Sequence, residues 1–368
     1  LMFINKLFIG VIKMMNSKVK IITSMILILG ISSLQAGTIR SQGTAGASQL
    51  LIPVGAQNVA QGGSNTATST GVDALYVNPA GTSGMSTGAQ VTVSSMTYIA
   101  DIDVTYIGMV ASLGDKGTVG LSMKTLDFGD IPVTTADETE GTGEMYSPNF
   151  MTATANYSRP FAQNVRFGAS LKFVSEQIIN TSANGVAADL GVQYKGLLGR
   201  EGLDVGFVLK NFGSPMKYDG EGLGVIATAT GSDRPEEYYK VDAQPFDLPF
   251  AFDMGLSYNV AGADLGVTYT SNYYATDELK LSVGYALEGL GSVGVGFQTS
   301  GAAQEIEHHD DDHDHGDEDW YTNPSDGVSF GASLDMSRFV GMNMSVDYSM
   351  LPMGDFGTNS VLALRFAF

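Results

Sequence analysis

Only 16% of the 368 residues are charged, against about 25% in an average soluble protein, and 46 are glycine, which argues against a helical bundle. The apolar fraction of 43% excludes a disordered chain, and a net charge of −20 argues against nucleic acid as a partner. The sequence contains no cysteine, which excludes disulfides, thiolate metal sites and thiol nucleophiles.

The first predicted element is an export signal within residues 1–36. Lys18 and Lys20 precede the longest apolar stretch, 21–31, which is followed by the sequence SSLQA ending at Ala36. A basic start, a short apolar run and a small residue at the cleavage point are typical of a secretory signal peptide. A permanent transmembrane helix is the alternative, but the run is shorter than the roughly 20 residues that a bilayer requires. We therefore expect cleavage after Ala36.

Residues 37–87, here called the plug segment, contain no pattern typical of a transmembrane strand but many turn-forming residues. Prolines fix turns, glycines permit tight packing or positive φ, and Asn78 before Pro79 is suited to closing a turn with its side chain. Because the segment is apolar with few charges, we expect it to fill the lumen of a barrel; a flexible periplasmic tail is the alternative. Its motif residues are Ile52, Pro53, Val54, Gly55, Ala56, Gly62, Gly63, Asn78, Pro79, Ala80 and Gly81.

Residues 88–368 alternate between apolar and polar or small residues, in runs whose length suits tilted strands that cross a bilayer. A soluble β-sandwich would alternate too, but here short turns such as 114–117 alternate with the long loops 129–148, 212–248 and 300–326. Turns at one end and loops at the other are typical of outer-membrane barrels. We therefore predict an all-β protein of the bacterial outer membrane, an antiparallel transmembrane β-barrel of fourteen strands with an N-terminal plug. The predicted strands are 88–97, 103–113, 118–128, 149–158, 165–176, 184–194, 203–211, 249–259, 263–271, 277–287, 292–299, 327–335, 342–349 and 360–368.

The face of these strands opposite to the apolar one carries charges of both signs. Such charges can pair beside water, whereas each would cost a few kcal/mol against the bilayer midplane, so the predicted lumen is polar. The last strand is apolar on one face and ends in Phe368, which resembles the signal that barrel-assembly machinery recognises. We expect it to pair with the first strand and remove the open edges. The inward charges are Arg166, Lys172, Asp189, Asp204, Lys210, Asp253, Asp264, Lys280, Asp335 and Asp347.

All four histidines lie in the acidic stretch 305–319. Imidazoles interleaved with carboxylates can bind Zn²⁺, Ni²⁺ or Cu²⁺, so His308, His309, His313 and His315 are candidate metal ligands, although their spacing matches no defined site. A solvated acidic extracellular loop is the alternative. Because no predicted strand carries a histidine, no imidazole base is available beside a nucleophile in the barrel. A hydrolase that uses an acid pair such as Asp253 and Asp264 is the alternative, but without a motif such pairs more often form lumenal charge networks. We expect neither an enzyme nor a bound cofactor.

The stretches 50–56, 61–63 and 73–81 (LLIPVGA, QGG and DALYVNPAG) together resemble the N-terminal signature of the PorV/PorQ family. Members are fourteen-stranded outer-membrane barrels related to the fatty-acid transporter FadL. The resemblance implies a role in type IX secretion, in which the barrel binds the C-terminal domain of a secreted cargo protein and passes it from the translocon to a surface attachment complex. Candidate contacts in the long loops, which equally suit an interfacial aromatic girdle, are Tyr146, Phe246, Phe250, Trp320 and Tyr321.

An alternative from a different class is a FadL-like channel that moves a hydrophobic small molecule across the outer membrane, with the plug segment as its gate. That function requires an apolar pocket beneath the long loops. A structural surface barrel without transport is a third interpretation. The expected partners are the lipid bilayer together with cargo and secretion components in the first case, or with a lipid or hydrophobic small molecule in the second.

Overall fold

A computed structural model describes residues 42–227, 237–301 and 324–368. The predicted signal peptide and the candidate metal ligands between His308 and His315 lie outside the described residues, so both remain predictions.

Fourteen antiparallel strands close into one barrel. The first strand, β1 (Ala89–Thr97), pairs with the last, β14 (Thr358–Ala367), so the barrel has no open edge. This arrangement confirms the predicted fold class. The strands between them are β2 (Asp103–Ser112), β3 (Thr118–Asp127), β4 (Asn149–Ala162), β5 (Val165–Ile178), β6 (Thr181–Tyr194), β7 (Leu203–Gly213), β8 (Ala251–Val260), β9 (Ala263–Asn272), β10 (Glu278–Leu287), β11 (Gly291–Ser300), β12 (Gly327–Asp335) and β13 (Met344–Pro352).

The strands begin and end within a few residues of their predicted bounds, with the largest difference at β4. The sequence predicts a turn from residue 159 onward, whereas β4 continues to Ala162 because Ala162 still pairs with Val165 across a tight connection. At the other end of β5 the ladder continues to the pair Ile178 and Thr181. The positions of turn-forming residues in the sequence therefore do not show at which residue pair the β-ladder of a hairpin ends.

The three long connections, 128–148, 214–250 and 301–326, lie at the same end of the barrel. The strict alternation of short and long connections expected from the sequence is not found, because four other connections at that end, among them 179–180, are short. Loop 128–148 contains the paired segments Ile131–Pro132 and Met145–Tyr146, and loop 214–250 contains the pair Gly224–Ala227 and Glu237–Lys240. In outer-membrane barrels the long loops are extracellular and the short turns periplasmic, which defines the two ends of the molecule. Helices are short: α1 (Ala56–Ala60) and α2 (Ala74–Val77) precede the barrel, α3 (Ser337–Val340) lies in a periplasmic turn, and 3-10 turns at Ser48–Leu50, Gly71–Asp73 and Pro79–Gly84 complete the segment before β1.

The outward side chains of most strands form an exposed apolar belt. Leu121 on β3, for example, is 55% exposed. A closed barrel pairs all of its strand backbone, and an apolar belt meets hydrocarbon, so the molecule is built as an outer-membrane barrel. Other members of the belt are Ile107, Met109, Met123, Leu171, Phe173, Val186, Leu265, Val267, Leu281, Val283, Val293, Val295, Phe330 and Leu362.

No helix in the described parts of the chain is long and apolar enough to cross a membrane.

The belt is interrupted where β6, β7 and β8 meet. Phe207 and Phe252 point outward by alternation, yet they are only 5% and 3% exposed, and their rings stack with centroids 6.4 Å apart. The pairing of β6 with β7 also shifts register between Ala188 and Leu190. The outward side chains of this part of the wall therefore cover one another.

The apolar belt predicts that a charged side chain placed on the lipid-facing surface destabilises the barrel. Leu121→Arg should lower the free energy of unfolding by roughly 2–4 kcal/mol, because the guanidinium must leave water for hydrocarbon. Denaturant unfolding of the barrel in phospholipid vesicles measures the change. Phe339→Arg in the exposed helix α3 is the matched control and should change stability by less than about 1 kcal/mol. Equal losses in the two variants would contradict the membrane-facing position of Leu121.

The plugged lumen as candidate functional site

Residues 42–88 run through the lumen from its extracellular end to its periplasmic end. Near the extracellular loops, the Gly46 backbone N–H donates to the carbonyl of Asp247 at 3.0 Å. At the periplasmic end, the Gly88 N–H donates to the carbonyl of Phe368 at 2.8 Å. The segment before the first strand therefore lies inside the barrel, where we expected a plug.

Asn78 is fully buried and connects the plug to the wall. Its Oδ1 accepts from the Ala80 N–H at 3.1 Å, which caps the turn Pro79–Gly84. Its Nδ2 donates to the carbonyls of Thr66 at 2.9 Å and of Val192 on β6 at 3.2 Å. The side-chain amide of Asn78 thus forms hydrogen bonds with backbone groups of both the plug and the wall.

The motif glycines supply backbone conformations that other residues rarely adopt. Gly55, Gly62 and Gly63 have φ of +82°, +56° and +71°, a region that costs residues with a Cβ energy. Gly55 directly precedes helix α1, and the two later glycines turn the chain against the wall. The other motif residues are buried apart from the half-buried Pro53; they are Ile52, Val54, Ala56, Pro79, Ala80 and Gly81.

The wall makes room for the plug with glycines of its own. A Cβ placed on Gly168 would lie 2.2 Å from the Pro79 carbonyl oxygen, and one on Gly296 would lie 2.3 Å from the Gly62 nitrogen. Non-bonded heavy atoms do not approach this closely, so a side chain at either position would displace the plug. Gly120, Gly191, Gly206, Gly255 and Gly331 make similarly close contacts.

Four lysines project into the lumen, and three of them pair with carboxylates of the wall. These pairs agree with the predicted polar lumen of mixed charge, and each pair neutralises its own charge. The pairs are Lys172 with Asp189 at 2.6 Å, Lys210 with Asp253 at 2.7 Å and Lys280 with Glu278 at 2.7 Å.

The fourth lysine, Lys124, binds the plug instead of a carboxylate. Its Nζ donates to the carbonyl of Ile52 at 3.0 Å and lies 5.1 Å from the ring centroid of Tyr76, while Lys210 Nζ lies 5.4 Å from the same ring. The Tyr76 hydroxyl donates to the Leu51 carbonyl at 3.1 Å, and burial raises the pKa of this phenol, which keeps it neutral. Cation–π contacts and backbone acceptors therefore hold this part of the plug.

Sequence reasoning missed Lys124 among the inward charges. The signal was available, because Lys124 has the parity opposite to the exposed Leu121 and Met123.

Arg365 on β14 provides a second charged contact with the plug. It pairs with the plug carboxylate of Asp73, and its Nη2 lies 3.4 Å from Asp347 on β13 and 3.1 Å from Ser345 Oγ. This cluster lies toward the periplasmic ends of the strands. The plug is therefore tied to the wall by charge near both ends.

One region in the extracellular half of the lumen is apolar, although Lys124, Lys210 and Lys280 lie in the same half. Ile52 and Val54 of the plug pack there against side chains from β1, β2, β3, β13 and β14. Beside them, Ala47 and Leu50 pack against Met216 and Leu248. The chain's own plug thus occupies an apolar chamber below the loops. The wall residues of the first group are Met96, Val104, Tyr106, Leu126, Leu351, Val361 and Ala363.

Three aromatic residues proposed as partner contacts, Tyr146, Phe246 and Phe250, are half-buried. Tyr146 lies in a strand pair within its loop. Phe246 exchanges backbone hydrogen bonds with Met216, and its ring covers Gly46 of the plug. Phe250 packs edge-on against Phe212. Trp320 and Tyr321 lie outside the described residues. The partner-binding role of all these residues remains a prediction.

The fold is similar to solved barrels of the FadL type. The Pseudomonas putida toluene transporter TodX is 13% identical, with a TM-score of 0.52 over 86% of this chain and 98% of TodX. The Ralstonia pickettii toluene transporter TbuX is 12% identical, with a TM-score of 0.52 over 86% and 98% of the two chains. A Pseudomonas aeruginosa FadL homologue is 13% identical, with a TM-score of 0.51 over 86% and 99%.

No protein-family model and no curated protein matches the chain. Identities of this size show a common fold and nothing finer, so membership of the PorV/PorQ family remains a prediction. The chain is a plugged, FadL-like outer-membrane β-barrel.

The close wall contacts predict a position-specific effect of adding one methyl group. Gly296→Ala should displace the plug backbone and destabilise the barrel by about 1–3 kcal/mol, as overpacking generally does. Denaturant unfolding and protease digestion of the plug measure the effect. Gly294→Ala is the matched control on the same strand and face, because its Cβ would meet the Gln61 Cγ at an ordinary 3.5 Å. A tolerated Gly296→Ala would contradict the packing described here.

The charged contact at β14 predicts a second loss. Arg365→Met leaves the carboxylates of Asp73 and Asp347 without their cation, and breaking a buried pair in this way typically costs about 3–5 kcal/mol. Unfolding in denaturant checks the magnitude. Lys240→Met, which removes a solvent-exposed pair with Asp219, should leave the unfolding midpoint unchanged. An Arg365→Met barrel as stable as the parent would show that this cluster does not hold the plug.

Proposed function

We propose that this protein lets hydrophobic small molecules cross the outer membrane, with the plug as its gate. The apolar chamber at the extracellular end carries this proposal, because it is a binding space for apolar groups that the plug's own residues Leu50, Ile52 and Val54 fill. A hydrophobic solute that entered below the loops could make the same apolar contacts with the wall that these side chains now make. Two of the similar barrels are described as toluene transporters.

Passage further down requires the plug to move. A cavity of about 190 Å³ lies between helix α1 and strands β9 to β12, where Gln57, Gln61 and Asp264 meet wall residues that include Gly284 and Gly294. The cavity leaves the side of α1 that carries Gln57 and Gln61 loosely packed, although Ala60 contacts Gly331 on β12 closely. We therefore assign the moving part of the plug to the region of α1.

Two observations favour transport over catalysis. The similar structures are described as channels and transporters rather than enzymes. Three of the lumenal lysines already pair with carboxylates. Ion pairs of this kind are better suited to a structural role than to catalytic proton transfer.

The secretion role implied by the PorV/PorQ resemblance remains a prediction. It needs an outward-facing surface for cargo, whereas Phe246 packs onto the plug. The similar barrels favour the channel.

A reversible disulfide tests the gate. A Cβ on Gly294 lies 3.6 Å from the Ala60 Cβ, which falls within the roughly 3.5–4.5 Å range of disulfides. Ala60→Cys with Gly294→Cys should therefore lock α1 to β11 in the oxidising periplasm, and the absence of native cysteines keeps the experiment clean. Uptake of labelled toluene at limiting concentration, by a Gram-negative host without its own hydrocarbon channel, should fall to the level of cells lacking the barrel.

Reduction with dithiothreitol should restore uptake, and the single variant Gly294→Cys should resemble the parent throughout. Undiminished uptake through the oxidised double variant would refute gating by α1 while leaving transport intact. If the parent barrel itself does not raise toluene uptake, the transport proposal fails for this solute class, and co-purification of cargo C-terminal domains would then favour secretion.

A further inference from the structure

A second, smaller cavity lies between the plug and the wall around Lys124. It leaves about 20 Å³ for the centre of a water-sized sphere, slightly more than the roughly 10–15 Å³ that one water molecule needs. Aliphatic plug side chains, among them Leu75, line one side. The polar residues that line it are Tyr106, Ser122, Lys124, Thr152, Thr154 and Lys172.

The lining has an excess of positive charge. It includes two lysines and no carboxylate, and only Lys172 has an acidic partner, Asp189, at 2.6 Å. Lys124 is 5% exposed and forms no ion pair with any acidic residue in the described ranges. Carbonyl dipoles and a ring face compensate a buried ammonium only in part.

A buried hydroxyl stands beside this ammonium without a partner. Thr152 on β4 is directly opposite Lys124 in the β3–β4 ladder. It is 5% exposed, and its Oγ1 makes no hydrogen bond within the part of the chain that the structure describes. A buried polar atom without a partner is uncommon and calls for an explanation. Two neighbouring groups able to donate therefore line one closed space.

We propose that this cavity binds one small monovalent anion of halide size. A water molecule would satisfy Thr152 but would leave the charge of Lys124 uncompensated, whereas a halide accepts from both groups and neutralises the ammonium. A carboxylate-bearing solute is too large for the space. The aliphatic side of the cavity also suits a weakly hydrated anion better than a strongly hydrated one.

The anion has a structural role in this assignment. Lys124 donates to the carbonyls of Gln49 and Ile52, so an anion that holds the ammonium in place also holds this stretch of the plug. Halide binding should therefore stabilise the plugged barrel, independently of which solute the barrel carries.

Bromide provides a direct probe. In crystals of the whole barrel grown with sodium bromide, we expect an anomalous bromine peak between Lys124 Nζ and Thr152 Oγ1. The peak should disappear in Lys124→Met and weaken in Thr152→Val, and it should persist in Lys116→Met, which removes a lysine from an exposed periplasmic turn. No peak at this position in the parent protein, with a water molecule in its place, would overturn the assignment.

Thermal unfolding of the detergent-solubilised parent tests the same idea without relying on a variant. At equal ionic strength the melting temperature should be higher in sodium bromide or chloride than in sodium gluconate, whose anion is too large for the cavity. Lys124→Met, if it folds, should lose this difference and Lys116→Met should keep it. Equal melting temperatures of the parent in bromide and gluconate would refute the proposal.

Discussion

The need to pair every backbone N–H and C=O within hydrocarbon governs this molecule. A sheet can meet that need only by closing on itself, and the pairing of β1 with β14 provides the closure. Closure by fourteen strands, however, encloses a lumen wider than their inward side chains fill. The plug fills this excess space. Its tight turns and the glycines of the wall allow the plug to pack closely inside the barrel.

Interactions along the plug change in kind from one end of the lumen to the other. Near the loops it meets aliphatic and aromatic side chains together with Lys124, and further down it meets glycine backbone, the wall contacts of Asn78 and the ion pairs of Arg365. Apolar contacts are non-directional and can be exchanged for those of an apolar solute, whereas hydrogen bonds such as those of Asn78 require one geometry. The extracellular end is therefore the part of the plug that a solute can most readily replace.

Much of this architecture could be predicted from the sequence, because an alternation with a period of two survives in every strand. The same alternation could not identify which wall glycines touch the plug. Gly294 and Gly296 look alike in sequence, and only the path of the plug separates a tolerant position from an intolerant one. Nor could it foresee that the outward Phe207 and Phe252 are buried, since that depends on how the side chains of neighbouring strands pack together outside the barrel.

The wall glycines also constrain how this barrel can diverge. On β11, Val295 and Phe297 face lipid, where any apolar side chain of similar bulk serves, while Gly296 between them admits no side chain until Gly62 retreats. Neighbouring positions of one strand are thus constrained differently. Val295 and Phe297 can change to other apolar residues independently, whereas Gly296 can change only together with Gly62, more than two hundred positions upstream. Paired changes between plug and wall, rather than conservation of either alone, are the signature that this architecture should leave among its descendants.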